Sequence, residues 1–254
     1  MSSLRSFVLA GMIIILGMVT VAGIMHLTDK KNSDQKLGEV HIDAFKTIAH
    51  LFPRTQEHDF ECPIPGTYKL PPIKQAGDGD VLDIHGNPLK LAELMKGKIT
   101  ILSFIYALCS DTRGCPLAMA TLFDAHDASE HIPKIAKNTR FITLSFDPQR
   151  DTPEAMGSYG YPVLADPERD EKIPWDFLTT SSLEKLQPIL KAYGQVVDPS
   201  ADGEIISHLL RLYLIDRQGR IRNIYGLGFL DPRLLFSDIE TLLMEESARG
   251  RSNS

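Results

Sequence analysis

Cys109 and Cys115 offer this 254-residue chain its richest chemistry, and only Ser110, Asp111, Thr112, Arg113 and Gly114 separate them. A thiolate is a nucleophile and a soft-metal ligand. Two thiolates suit Cu(I), and one added imidazole makes a site that also holds Cu(II). Cys109 follows an apolar, β-branched run over residues 98–108, the pattern of a strand buried on both faces. Cys115 precedes Pro116, which suits a first helical turn. The five residues between them are therefore a strand-to-helix loop. In a continuous helix, six positions amount to about 240° of rotation and would face the sulfurs apart. A loop containing Gly114 can fold back and bring the Cα atoms to the roughly 4.4–6.8 Å that a disulfide needs. A thiol at a helix start is also expected to gain thiolate character from the free N–H groups and the helix dipole, with Arg113 adding a positive charge. The plainer reading is a pair of partly buried cysteines acting as small hydrophobes.

Eight histidines are candidates for the imidazole. His26 borders an apolar N-terminal run, His41 and His50 fall on an amphipathic pattern, His85 lies in a turn, and His126 and His131 lie late in the helix after Cys115. His208 differs, because it opens a strand directly after a polar loop over 195–206. A histidine in that position is, taken alone, more often structural than a ligand. Three cysteines are too few for a disulfide framework. Cys62, beside Pro63, reads as an unpaired buried thiol, an intermolecular disulfide partner or a third sulfur ligand.

The elements that must position these residues emerge from hydrophobic periodicity and turn chemistry. A small hairpin is predicted over 81–91 around a turn at 85–88, then the strand over 98–108 and a helix over 116–131. A second buried strand spans 140–146, and Thr152 is placed to cap a helix that opens at Pro153. A short strand at 175–179 leads to a helix over 182–193 that Gly194 stops. Strands at 209–215 and 221–225 are joined by a turn with Gly219 where positive φ is useful, and a last helix runs from 231 to about 246. Alternating strands and helices with a closing hairpin make an α/β pattern: a central mixed sheet with helices on both faces, in the thioredoxin-like order.

Upstream, residues 7–25 are uncharged and long enough to cross a bilayer as a helix at about 1.5 Å per residue. A retained transmembrane anchor is the expectation, with a signal peptide cleaved near Ala22 as the alternative. Either route exports the downstream domain and places it on the periplasmic face of a bacterial inner membrane. The chain then divides into an anchor (1–28), a tether with an amphipathic helix and a Pro-rich segment (29–79), a main domain (80–247) and a polar tail (248–254). The Pro-rich stretch reads as an extended segment laid over a domain or as linker. A net charge of −6, with no stripe of Lys and Arg, excludes a nucleic-acid footprint.

Four motifs, in order along the chain, resemble the Sco/SenC family of copper proteins. Phe104-Ile105-Tyr106 leading to Cys109 and Cys115-Pro116 is similar to its cysteine loop, and Asp147-Pro148-Gln149-Arg150-Asp151-Thr152-Pro153 to its DPxRDTP loop. Trp175-Asp176-Phe177-Leu178-Thr179 resembles its W-x-FLT segment, and His208 followed by Leu212-Tyr213-Leu214-Ile215-Asp216 and Gly219 resembles its copper-binding histidine and YLID-xx-G hairpin. The resemblance implies a thioredoxin-like fold tethered by one N-terminal helix, with copper held by Cys109, Cys115 and His208. It implies a role in assembling the copper centre of cytochrome c oxidase or a related respiratory enzyme, and thiol–disulfide reduction of the target's cysteines. A thiol reductase and a c-type cytochrome are further partners to consider. The family normally has three residues between its cysteines where this chain has five, and Ser207 stands where an acidic residue often precedes the family's histidine.

Two other functions compete. An exported oxidoreductase or electron-transfer protein could cycle Cys109 and Cys115 without metal, although Cys-x-x-Cys and the cis-proline usual in that role are absent. A peroxiredoxin-like peroxidase lacks its Pro-x-x-x-Thr-x-x-Cys arrangement here.

Overall fold

The structure is a computed structural model that describes residues 47, 51–52, 60–109, 114–199 and 206–252, with the backbone alone for 197–199, 206–208 and 251–252. The central strand is β4 (Ile99–Ile105), buried along its whole length as its apolar run requires. It pairs parallel with β5 (Thr139–Ser145), which pairs parallel with β6 (Trp175–Leu178). On its other side β4 pairs antiparallel with β9 (Leu212–Ile215), followed by β10 (Arg220–Tyr225) and the edge strand β1 (Lys74–Gln75). The six-stranded order is β1-β10-β9-β4-β5-β6. A separate hairpin, β2 (Asp80–Leu82) with β3 (Pro88–Lys90), turns through Gly86 at φ 78° and leads into α1 (Leu91–Met95).

Helices cover both faces. Ser103, Thr143 and Trp175 point one way, joined by hydrogen bonds through Thr143 Oγ1 of 2.8 Å to Ser103 and 2.9 Å from Trp175 Nε1. On that face α2 (Cys115–Ala128) brings Phe123 and His126 to 5.2 and 5.6 Å from the Trp175 ring. On the opposite face Phe104 and Tyr213 pack on Tyr193 of α6 (Leu183–Tyr193), at 5.4 and 5.1 Å. Between β4 and β6 the chain adds α3 (Pro133–Asn138), α4 (Pro153–Tyr159) and the short α5 (Tyr161–Leu164). Thr152 caps α4, accepting from Ala155 N–H at 3.3 Å, and Gly194 closes α6 at φ 64°, where a left-handed residue is needed.

The last helix, α7 (Pro232–Ser252), runs past the predicted end near 246. The apolar pattern stops there, but Arg249 pairs with Glu245 one turn back at 3.0 Å, and such (i, i+4) pairs sustain an exposed helix. The Pro-rich segment is laid along this helix. Tyr68 and Tyr225 each donate to the buried Asp238 carboxylate at 2.6 Å, and Asn223 Nδ2 adds a third bond at 2.7 Å. Gly66 N–H donates to Thr241 Oγ1 at 3.0 Å, and the rings of Phe52 and Phe236 lie 6.4 Å apart.

Among the described residues no helix is long and apolar enough to cross a membrane. The apolar run over 7–25 and most of the amphipathic stretch over 37–52 lie outside the described residues; within that stretch Thr47 and Leu51 are helical. The expected polar loop over 195–206 is corrected in part. Residues of β7 (Val197–Pro199) pair antiparallel with β8 (Ile206–His208), so backbone groups that a loop would leave to water bond to each other.

Candidate functional site

The register of the sheet gathers several loops at one end. Ser103, near the carboxyl end of β4, pairs with Leu212 at the start of β9, and Leu212 pairs with Tyr225 at the end of β10. The loops after β4, after β5, before β9 and after β10 therefore share that end, and the cysteine loop is the first of them. Beyond Ile105 the buried Tyr106 packs on Phe146 at 5.3 Å. A turn then closes with Cys109 N–H donating to Tyr106 C=O at 3.2 Å.

Cys109 is half-buried, whereas Cys115, the first residue of α2, is only 1% exposed. Cys109 nonetheless acts on the Cys115 thiol through its charge and a side-chain hydrogen bond, so the two thiols lie within reach of each other. Both are free thiols. Burial pushes the Cys115 thiol well above its ordinary value, and the charge of and hydrogen bond to Cys109 push the same way. Backbone hydrogen bonds at Tyr106 and Cys115 itself oppose this and are outweighed. The expectation of a thiolate at the helix start thus fails for Cys115, because a buried thiol loses more solvation on ionising than the helix terminus returns.

The loop after β5 braces the cysteine loop. Asp151 is buried and accepts from Ser145 Oγ at 2.5 Å and from Ala107 N–H, two residues before Cys109, at 3.1 Å. Burial pushes its carboxyl up, while the bonds from Ser145 and Ala107 hold it down. Arg150 pairs with Asp147 in the same loop. Tyr159, at the end of α4, also faces this site: burial pushes its hydroxyl up, and Cys115, Cys109 and Asp151 add to the effect. Asp151→Ala leaves the Ala107 N–H and Ser145 hydroxyl without their acceptor. It should cost about 1–3 kcal/mol in urea unfolding, and Asp151→Asn, which keeps one acceptor oxygen, should cost less. Equal stability of all three proteins would contradict this bracing role.

The other candidate residues fall in different places. The backbone of His208 closes β8, opposite Val197, rather than opening β9, which starts at Leu212. It still lies just ahead of the strand whose start meets the cysteine end of β4. Cys62 is not part of the pair. Its sulfur lies 3.3 Å from Ser237 Oγ on α7, and burial pushes its thiol up despite that bond. A cluster that sequence reasoning missed joins His126, Asp127 and Asp166, whose ligand atoms lie within 4.8 Å of one another. The Lys172 ammonium already stands there, 3.0 Å from Asp127 and 2.8 Å from Asp166. Burial pushes the His126 imidazole down, and Lys172 adds to that. The cluster is an ion-pair knot with its own cation. His126 and Asp127 come from the end of α2 and Asp166 and Lys172 from the stretch after α5, with no motif to announce their meeting.

The SCO1/SenC family model matches residues 76–244, a span that holds both cysteines of the pair and His208. The chain is 26% identical over 156 residues to the sco1 protein of Schizosaccharomyces pombe, an alignment covering 59% of this chain and 54% of that protein. The chain thus spans about half the length of that curated relative. Among solved structures, copper-bound ScoI of Arabidopsis thaliana matches with a TM-score of 0.53 at 21% identity, covering 65% of this chain and 96% of that one. BsSco, in which a disulfide switch was identified and which is described as a member of the Sco family of cytochrome c oxidase assembly proteins, matches with a TM-score of 0.54 at 22% identity, covering 69% and 98%. At these identities the structures speak for the fold: a mixed sheet with helices on both faces, of the thioredoxin-like kind.

Proposed function

Because the chain belongs to the SCO1/SenC family, we propose that it binds a copper ion through Cys109, Cys115 and His208 and hands it to a copper centre of a respiratory oxidase or another cuproprotein. The observation that carries this reading is that Cys109 acts on the Cys115 thiol by charge and hydrogen bond despite the five-residue spacing. Paired soft donors at one point select a soft ion, and an imidazole from the neighbouring chain before β9 completes a set that serves both Cu(I) and Cu(II). Copper is the cargo. The residues of the chain hold it, shed the Cys115 proton as it enters, and keep the site at the exposed end of the sheet where an acceptor can reach Cys109. The domain works on the non-cytoplasmic side of a membrane, tethered by the run over 7–25; resistance to carbonate extraction from membranes tests the tether.

The thiol pair supports a second use, since two adjacent sulfurs can also form a disulfide that cannot ligate copper as thiolates. The reduced full chain, dialysed against Cu(I), should take up about one copper per chain, and the mildly oxidised chain almost none. Mass spectrometry of the oxidised, alkylated protein should show Cys109 joined to Cys115 and Cys62 alkylated. A reduced chain that takes up no copper yet forms this disulfide would leave the metal-free oxidoreductase as the function. A Cys62–Cys115 bridge would contradict the assignment of the pair.

A further inference from the structure

His208 is carried on a two-stranded ribbon whose base is locked by side chains that belong to neither strand. β7 and β8 pair as Val197 with His208, Asp198 with Ser207 and Pro199 with Ile206. The Val197–His208 rung is therefore the one nearest the body of the domain. One chain reaches it from the end of α6 through Gly194 and Gln195, and the other leaves it for β9 through Arg211.

Three side chains tie these two chains together. The Tyr213 ring is fully buried on β9 and packs edge-on to Tyr193 at 5.1 Å. Its hydroxyl donates to Tyr193 C=O at 2.7 Å and accepts from Gln195 Nε2 at 3.1 Å. Arg211 adds a side-chain hydrogen bond to the same hydroxyl, and its Nη1 donates to Gly194 C=O at 2.9 Å. A phenol oxygen has one proton to give and two lone pairs, so this set saturates it. Gln195 is itself buried, and its backbone N–H donates to Leu190 C=O at 2.9 Å, which anchors the clamp in α6. The clamp grips the chain two residues before Val197 and three residues after His208.

Resting on the reading of His208 as the imidazole ligand, we propose that Tyr213, Gln195 and Arg211 are positioning residues that fix the His208 backbone for copper. None of the three has to touch the ion. Each restricts where the imidazole can be presented, and a ligand held in place beforehand loses less freedom when the ion arrives. The clamp acts on the histidine, whereas the cysteine loop is held elsewhere, through Tyr106 C=O and Asp151. Its effect therefore falls on Cu(II), which uses the imidazole, more than on Cu(I), which two thiolates can hold.

Tyr213→Phe keeps the ring and removes the hydroxyl. Arg211→Gln unties Gly194 from a partly exposed position and leaves the core alone. Both full-length variants should bind Cu(II) about 10–100-fold more weakly, the range typical when the support of a metal ligand is removed. Cu(I) affinity should fall far less, and the electron spin-echo modulation from a Cu(II)-bound imidazole should weaken or broaden. Placed on a His208→Ala background, each change should cost little further Cu(II) affinity, because the ligand it positions is gone. A clamp that served stability alone would cost the same with or without His208.

Parent-like Cu(II) affinity in Arg211→Gln overturns the proposal, as does an undiminished further loss on the His208→Ala background. Arg211→Gln decides the question where Tyr213→Phe does not fold. Parent-like Cu(II) binding by His208→Ala removes the three-ligand site and this inference with it. A loss in His208→Ala with none in Arg211→Gln keeps the site and removes only the clamp.

Discussion

Replacing either cysteine of the pair is expected to reduce copper binding to background. Cys109→Ala and Cys115→Ala each remove one of two thiols that act on each other by charge and hydrogen bond, and one thiolate with one imidazole no longer makes the soft two-sulfur site that holds Cu(I) tightly. His208→Ala should act differently, hurting Cu(II) more than Cu(I), since two thiolates alone hold Cu(I) in linear coordination. Loss of the thiolate-to-copper absorption band, with copper content by atomic absorption, reads both effects. Cys62→Ala serves as the control. Its sulfur is committed to Ser237 on α7, and the variant should bind copper like the parent.

Asp238→Ala is expected to be the most damaging single change to the fold. The carboxylate is 1% exposed and is the shared acceptor for Tyr68, Tyr225 and Asn223. Burial pushes both tyrosine hydroxyls up, and the Asp238 charge pushes the same way. Stripping the acceptor leaves three donors stranded, at about 1–3 kcal/mol for each that stays buried, so a loss of roughly 3–5 kcal/mol is expected after relaxation. The segment around Tyr68 should also become open to protease before the sheet does, because Tyr68 is one of its ties to α7. A melting temperature within a degree or two of the parent, with no new cleavage near Tyr68, would contradict this.

Features were legible in the sequence according to the range of the interactions that make them. The unbroken apolar run of β4, the Thr152 cap and the αL glycine at 194 are local signals, and each appears where the pattern puts it. Cys109 and Cys115 were singled out by residue type and by flanking a strand and a helix, and the fold brings the two thiols within reach of each other. The clasp of Tyr68 on Asp238 spans 170 positions, and nothing near Tyr68 signals it. The ammonium of Lys172 reaches Asp127 across 45 positions, and no local pattern signals that pairing. The protonation of Cys115 depends on burial depth, which a helix-start rule does not contain. Pairing between β7 and β8 was missed because the stretch between Val196 and Leu209 is polar and short, with no alternation to reveal it.

X-ray absorption at the copper edge tests the three-residue site most directly, with Cu(II) bound to the parent chain and to His208→Ala. The parent should show two sulfur scatterers and one imidazole nitrogen in the first shell, with the outer-shell pattern of a histidine ring. His208→Ala should lose the ring pattern while keeping both sulfurs. An identical spectrum from the two proteins, together with full-strength binding by His208→Ala in both oxidation states, would contradict the three-ligand site and leave a plain dithiol in its place.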